Sequence, residues 1–74
     1  MTIEWEDGFE VQVTVESGTV VISANREGLL SLARQLTALA VECPGSHIHY
    51  DPYNSLEEGS VEMVIQKGVA VAAK

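Results

Sequence analysis

The sequence predicts an α+β fold, an antiparallel β-sheet of four to five strands with one α-helix packed on one face, in the order β-β-β-α-β-β. Three observations predict it. Phe9, Val11, Val13 and Val15 alternate with Glu10, Gln12, Thr14 and Glu16, the two-residue period of a half-buried strand. Leucines and alanines from Leu29 to Ala40 recur at helical spacing. Two further alternating stretches, around His47–Asp51 and Val61–Gln66, follow the helix.

The central hairpin is the strongest local signal. With Ser17-Gly18 as a two-residue turn, Val15 falls opposite Val20, Val13 opposite Ile22 and Val11 opposite Ala24, so every apolar residue meets an apolar partner on one face. The Val13–Ile22 pair is expected beneath the helix. Upstream, Ile3 and Trp5 also alternate with acids, and a three-residue loop through Asp7, Gly8 and Phe9 would set Trp5 against Val11 and Ile3 against Val13 as a first strand.

Asn25 is a good N-cap, and the segment after it places Leu29, Leu32, Ala33, Leu36, Leu39, Ala40 and Cys43 on one core-facing stripe that ends at Pro44-Gly45. Gly28, in the first helical turn, implies close packing of helix on strand, since glycine there otherwise costs up to about 1 kcal/mol against alanine. In the next strand Ile48 and Tyr50 point inward while His47, His49 and Asp51 point outward. In the last, Val61, Met63 and Ile65 share a face, and the tail beyond Gly68 either extends that strand or frays. One helix covers one face of a sheet, so the opposite face carries Glu10, Gln12, Thr14, Glu16, Val21, Ser23, His47, His49, Glu62, Val64 and Gln66.

Seventy-four residues make one domain, 1–74, near the lower size limit for a core-stabilised fold. A formal charge of −7 repels phosphate backbones and anionic lipid, which argues against direct binding of nucleic acid or membrane and favours a basic partner. A single cysteine forms no internal disulfide, and the chain shows neither an export signal nor a run long enough to cross a bilayer, so a cytoplasmic location is expected. Cys43 sits on the apolar stripe and reads as a small buried hydrophobe rather than a nucleophile.

The chemistry-bearing stretch is His47 to Glu62, HIHYDPYNSLEEGSVE. His47, His49 and Asp51 lie on one side of a strand at roughly 6.5–7 Å intervals. They are a possible metal or hydrolytic centre, with Glu57, Glu58 and Glu62 as further ligands. An H-x-H pair alone is a weak metal signal, and the chain offers neither a nucleophile elbow nor a phosphate-binding glycine loop. No catalytic residue, metal or cofactor is therefore assigned. The stretch reads better as a protein-binding surface, an aromatic ring on a polar turn among acids, formed by Asp51, Tyr53, Asn54, Glu57, Glu58 and Glu62 with His47 and His49 beside them.

The segments NREGLLSLARQLTALA and GSHIHYDPYNSLEEGSVEMVIQK resemble a family of small α+β immunity proteins of bacterial polymorphic toxin systems, over about Asn25 to Lys67. The specific parts are the Asn-Arg-Glu-Gly helix start, the His-x-His-x-Asp-Pro turn with its aromatic residue, and the Leu-x-x-Gly-Ser-Val-Glu entry to the last strand. The resemblance implies a non-enzymatic antidote that neutralises a cognate toxin by direct binding. An acidic surface suits a basic toxin such as a nuclease. Other readings are a metal-binding or hydrolytic domain on the H-x-H-x-D strand, or a module that forms a homodimer through a sheet edge.

Overall fold

A computed structural model describes residues 2–68 of the chain. The described elements run β1 (Val11–Glu16), β2 (Thr19–Ala24), α1 (Arg26–Ala40), β3 (His47–Tyr50) and β4 (Met63–Gln66). β1 pairs antiparallel with β2, and β3 with β4, as two separate two-stranded sheets. The α+β class and the single helix agree with the sequence. A first strand before β1 does not form, and the sheet is divided in two.

The central hairpin has the expected register, Val15 to Val20, Val13 to Ile22 and Val11 to Ala24. Ser17 and Gly18 both have positive φ, 51° and 81°, the pattern of a primed two-residue turn whose twist suits antiparallel strands. Burial differs from expectation. Val11 and Val13 are essentially inaccessible, whereas Ile22 is 43% exposed and Val15 and Val20 more so. The helix approaches the ladder closely at its open end, where Gly28 lies against Val11 and Ala24.

The missing first strand has a physical reason. The outer edge of β1, where Ile3 and Trp5 were expected to pair, is taken by the segment before β4. The Glu57 N–H donates to the Val11 carbonyl at 2.8 Å, the Val61 N–H to the Val13 carbonyl at 2.8 Å, and the Val13 N–H to Ser60 Oγ at 3.1 Å. Residues 2–10 instead turn tightly at Asp7-Gly8, with the Phe9 N–H on the Glu6 carbonyl, and lie against the helix. Ser31 Oγ accepts the Glu6 N–H at 2.8 Å, and Gln35 Nε2 donates to the Glu4 carbonyl at 2.8 Å. Trp5 stacks on Phe9 with ring centroids 4.2 Å apart and meets Tyr50 edge-on.

These contacts also rotate the helix. Its buried residues are Gly28, Ser31, Leu32, Gln35 and Leu39, whereas Leu29, Ala33, Leu36 and Ala40 of the expected stripe are exposed. Cys43 is exposed too, beyond the helix end, so the buried-hydrophobe reading of it is corrected. Asn25 caps the helix as expected, accepting the Gly28 N–H at 2.8 Å. Gly28 is required by proximity: a Cβ there would lie 2.5 Å from the Glu10 carbonyl oxygen and 2.9 Å from Val11 Cγ2. The last turn contains no basic residue, and Lys67 supplies one from the end of β4, its Nζ donating to the Ala40 carbonyl at 2.7 Å.

The core unites Val11, Val13, Leu32, Leu39, Ile48, Tyr50 and Leu56, with Met63 and Ile65 packed against it. Across the second hairpin Ile48 faces Ile65 and Tyr50 faces Met63, a pairing the sequence did not specify, while His47, His49, Val64 and Gln66 point outward as expected. Val61 precedes β4 and is 47% exposed, so it does not share the inward face with Met63 and Ile65. The two readings of the tail beyond Gly68, extension of β4 or fraying, concern residues outside the described ones. No described helix is long and apolar enough to cross a membrane.

Candidate functional site

The connection from β3 to β4 is built around the Asp51 side chain. Its Oδ1 accepts the N–H groups of Tyr53 at 2.8 Å and Asn54 at 3.0 Å, and its carbonyl accepts those of Asn54, Ser55 and Leu56. Asp followed by proline favours this arrangement because the carboxylate satisfies donors that the turn cannot pair with carbonyls. Asn54 locks it from the other side, its Oδ1 accepting the Asp51 N–H and its Nδ2 donating to the His49 carbonyl at 3.1 Å. Leu56 is buried as the anchor of the turn.

The consequence is a firmly held platform with an aromatic ring standing off it. Tyr53 is 99% exposed, so the ring does not fold back onto the core. Past Leu56, the chain is clamped to β1 through Glu57 and Val61 and passes Gly59 at φ 89°, which presents Glu57 and Glu58 to solvent. Glu62 then comes back beside β3.

Of the residues singled out from sequence, His49, Asp51 and Glu62 converge. His49 Nε2 stands 4.0 Å from Asp51 Oδ2 and 3.9 Å from Glu62 Oε1, and one ligand atom of each lies within 4.8 Å of the others. His47 is outside this group, paired across the strand with Gln66 and with Nδ1 near the Gly45 carbonyl. The spacing of His47, His49 and Asp51 thus does not gather all three, because alternate residues of an extended strand run along it rather than toward a point. A histidine and two carboxylates on an open surface are able to hold a divalent cation weakly or to share a proton. Asp51 already uses Oδ1 in the turn, which leaves Oδ2 for either role.

Among the described residues no lysine or arginine offsets the charge along this edge. The basic side chains among the described residues are engaged elsewhere: Arg26 with Glu27 at 3.3 Å, Arg34 with Glu6 at 3.1 Å, and Lys67 on the helix end. None of them pairs with Asp51, Glu57, Glu58 or Glu62 among the described residues. Beside the platform a cleft of about 350 Å³ opens, its lining drawn from Ile3 and Trp5 of the N-terminal segment, from His47 to Tyr50 of β3, and from Asn54 and Ser55 of the turn. Ile3 and Trp5 were read from sequence as strand residues, and the polar i, i+4 pair Ser31 and Gln35 that brings their segment here was the available signal.

The model of the immunity protein 32 family matches residues 19–68, about two thirds of the chain. The chain belongs to this family. The match takes in β2, α1, β3, the turn and β4, so every candidate binding residue from His47 to Glu62 lies inside it, and it reaches further back than the resemblance over Asn25 to Lys67. β1 and the Trp5 segment lie before the first matched residue. No curated protein and no solved structure matches the chain.

Proposed function

We propose that this immunity-family chain, acting as one domain over residues 1–74 in the cytoplasm, is the antidote of a polymorphic toxin system and neutralises a basic cognate toxin by binding it, without turnover or cofactor. The observation that carries this reading is the fully exposed Tyr53 on a hydrogen-bonded turn, beside the carboxylates Glu57, Glu58 and Glu62, which no lysine or arginine among the described residues pairs with. An aromatic ring held out at no conformational cost to the protein is suited to become a desolvated anchor in a complex. The acids around it speed encounter with a basic surface such as that of a nuclease.

The test is binding to the toxin encoded beside the chain, at two salt concentrations, with circular dichroism to confirm each variant's fold. Tyr53→Ala is expected to raise the dissociation rate and weaken affinity roughly thirtyfold, about 2 kcal/mol. Charge reversal of Glu57 and Glu58 is expected to slow association and flatten its salt dependence while leaving dissociation nearly unchanged. Unchanged binding by these folded variants would move the interface to the open face around Glu10, Gln12, Thr14 and Val21.

The convergence of His49, Asp51 and Glu62 favours a second reading, a metal-binding domain. Under the antidote reading a chelator leaves the melting temperature unchanged, and so does replacing His47 and His49 together by glutamine. A chelator-induced fall that the double variant abolishes would instead establish the metal site.

A further inference from the structure

The two edges of the β1–β2 ladder differ. Val11 and Val13 turn their carbonyls outward to Glu57 and Val61, so the main-chain groups of Gln12, Thr14 and Glu16 face β2 and meet Ser23, Val21 and Thr19. The bond from the Asn25 N–H to the Glu10 carbonyl continues that alternation. On β2, the N–H and C=O groups of Val20 and Ile22 then point away from β1, and they meet no main-chain partner beyond β2 among the described residues. Their side chains are exposed, Val20 by 61% and Ile22 by 43%, and neither lysine nor proline blunts the strand.

We propose that the outer edge of β2 pairs antiparallel with the same edge of a second copy of this chain, giving a continuous sheet β1-β2-β2-β1. Val20 of one copy lies against Ile22 of the other, each exchanging N–H and C=O across the two-fold axis. Charge selects this occupant. Ser17–Asn25 is the longest run of the chain without a charged side chain, so two copies that each carry a formal −7 meet here without acids facing acids. A basic partner is drawn instead to Asp51–Glu62, whose Glu57–Val61 segment borders the opposite edge of β1. Pairing also joins the exposed apolar side chains of Val15, Val20 and Ile22 of the two copies into one strip. Both acidic turns stay outside the contact, so the inference stands or falls apart from the antidote reading.

The experiment is sedimentation of the full purified chain, with no toxin present, from micromolar to millimolar concentration at low and high salt. The expected result is a reversible dimer that tightens with salt, because screening relieves repulsion between two acidic copies. Val20→Lys and Val20→Glu should each weaken association at least tenfold while keeping the wild-type circular dichroism, and Val64→Lys, on an exposed site of β4, should leave it intact. Amide hydrogen exchange at Val20 and Ile22 should slow as the dimer forms. A chain that stays monomeric throughout, a dimer that survives both Val20 variants, or one that Val64→Lys disrupts equally would overturn the proposal. Protection of the two amides in a monomer would overturn it as well, by showing the edge covered from within the chain.

Discussion

Val13 and Ile22 face one another across the hairpin, yet the structure separates their energetic roles. Val13 is 2% exposed within the core, whereas Ile22 is 43% exposed and outside the core cluster. Val13→Asp buries an unpaired charge, whose cost of several kcal/mol is comparable to a total stability of roughly 5, so the variant is expected to be largely unfolded. Ile22→Asp should cost under about 1 kcal/mol, so urea titration of the two variants distinguishes shared register from shared burial. Tyr50 supplies a second test at this scale. Its hydroxyl donates to Gln35 Oε1 at 2.8 Å, and burial raises its pKa above the ordinary tyrosine value. Folding therefore favours the protonated phenol. This contribution is complete below the unfolded value of 10.0 and is lost as pH rises through the higher folded value. Thermal melts should show stability declining above that pH, and Tyr50→Phe, though less stable at neutral pH for want of the Gln35 bond, should decline less.

At the scale of elements, Asn25 ties three of them together. Its Oδ1 accepts the Gly28 N–H at the start of α1 and the Glu10 N–H at the entry to β1, and its Nδ2 donates to the Gly8 carbonyl in the N-terminal turn. Asn25→Ala should cost about 2 kcal/mol, the upper end for a lost cap, because donors outside the helix are orphaned with it. Asn25→Asp keeps the acceptor and loses only the bond to Gly8, so its melting temperature should fall between wild type and the alanine variant. The cap, the helix and the first hairpin with its register were legible from local pattern, and β3 and β4 were legible as strands but not as partners. The N-terminal segment was not: Ile3 and Trp5 alternate like a strand, but Glu57 and Val61, some fifty residues later, occupy the edge they would have used. A period-2 pattern identifies an extended segment and leaves its partner open.

Over the whole molecule, the acidic connection from β3 to β4 borders one side of the β1–β2 ladder and the uncharged β2 edge forms the other. The two are expected to answer salt oppositely, toxin capture weakening as self-association strengthens, which one titration series measured in both assays would show. Alternation and helical spacing by themselves determined the α+β class, the hairpin register, the Asn25 cap and the grouping of acids between Asp51 and Glu62, because each is set by residues near one another in the chain. Tertiary structure alone decided that the helix buries Ser31 and Gln35 rather than Leu29 and Leu36, that His49 joins Asp51 and Glu62 without His47, and that a turn closes β1 while the outer edge of β2 meets no main-chain partner among the described residues. Those outcomes depend on which buried donors and acceptors find partners. Polar groups distant in sequence pair only after the chain has folded, and an apolar stripe says nothing of a polar face that hydrogen bonds make just as favourable to bury.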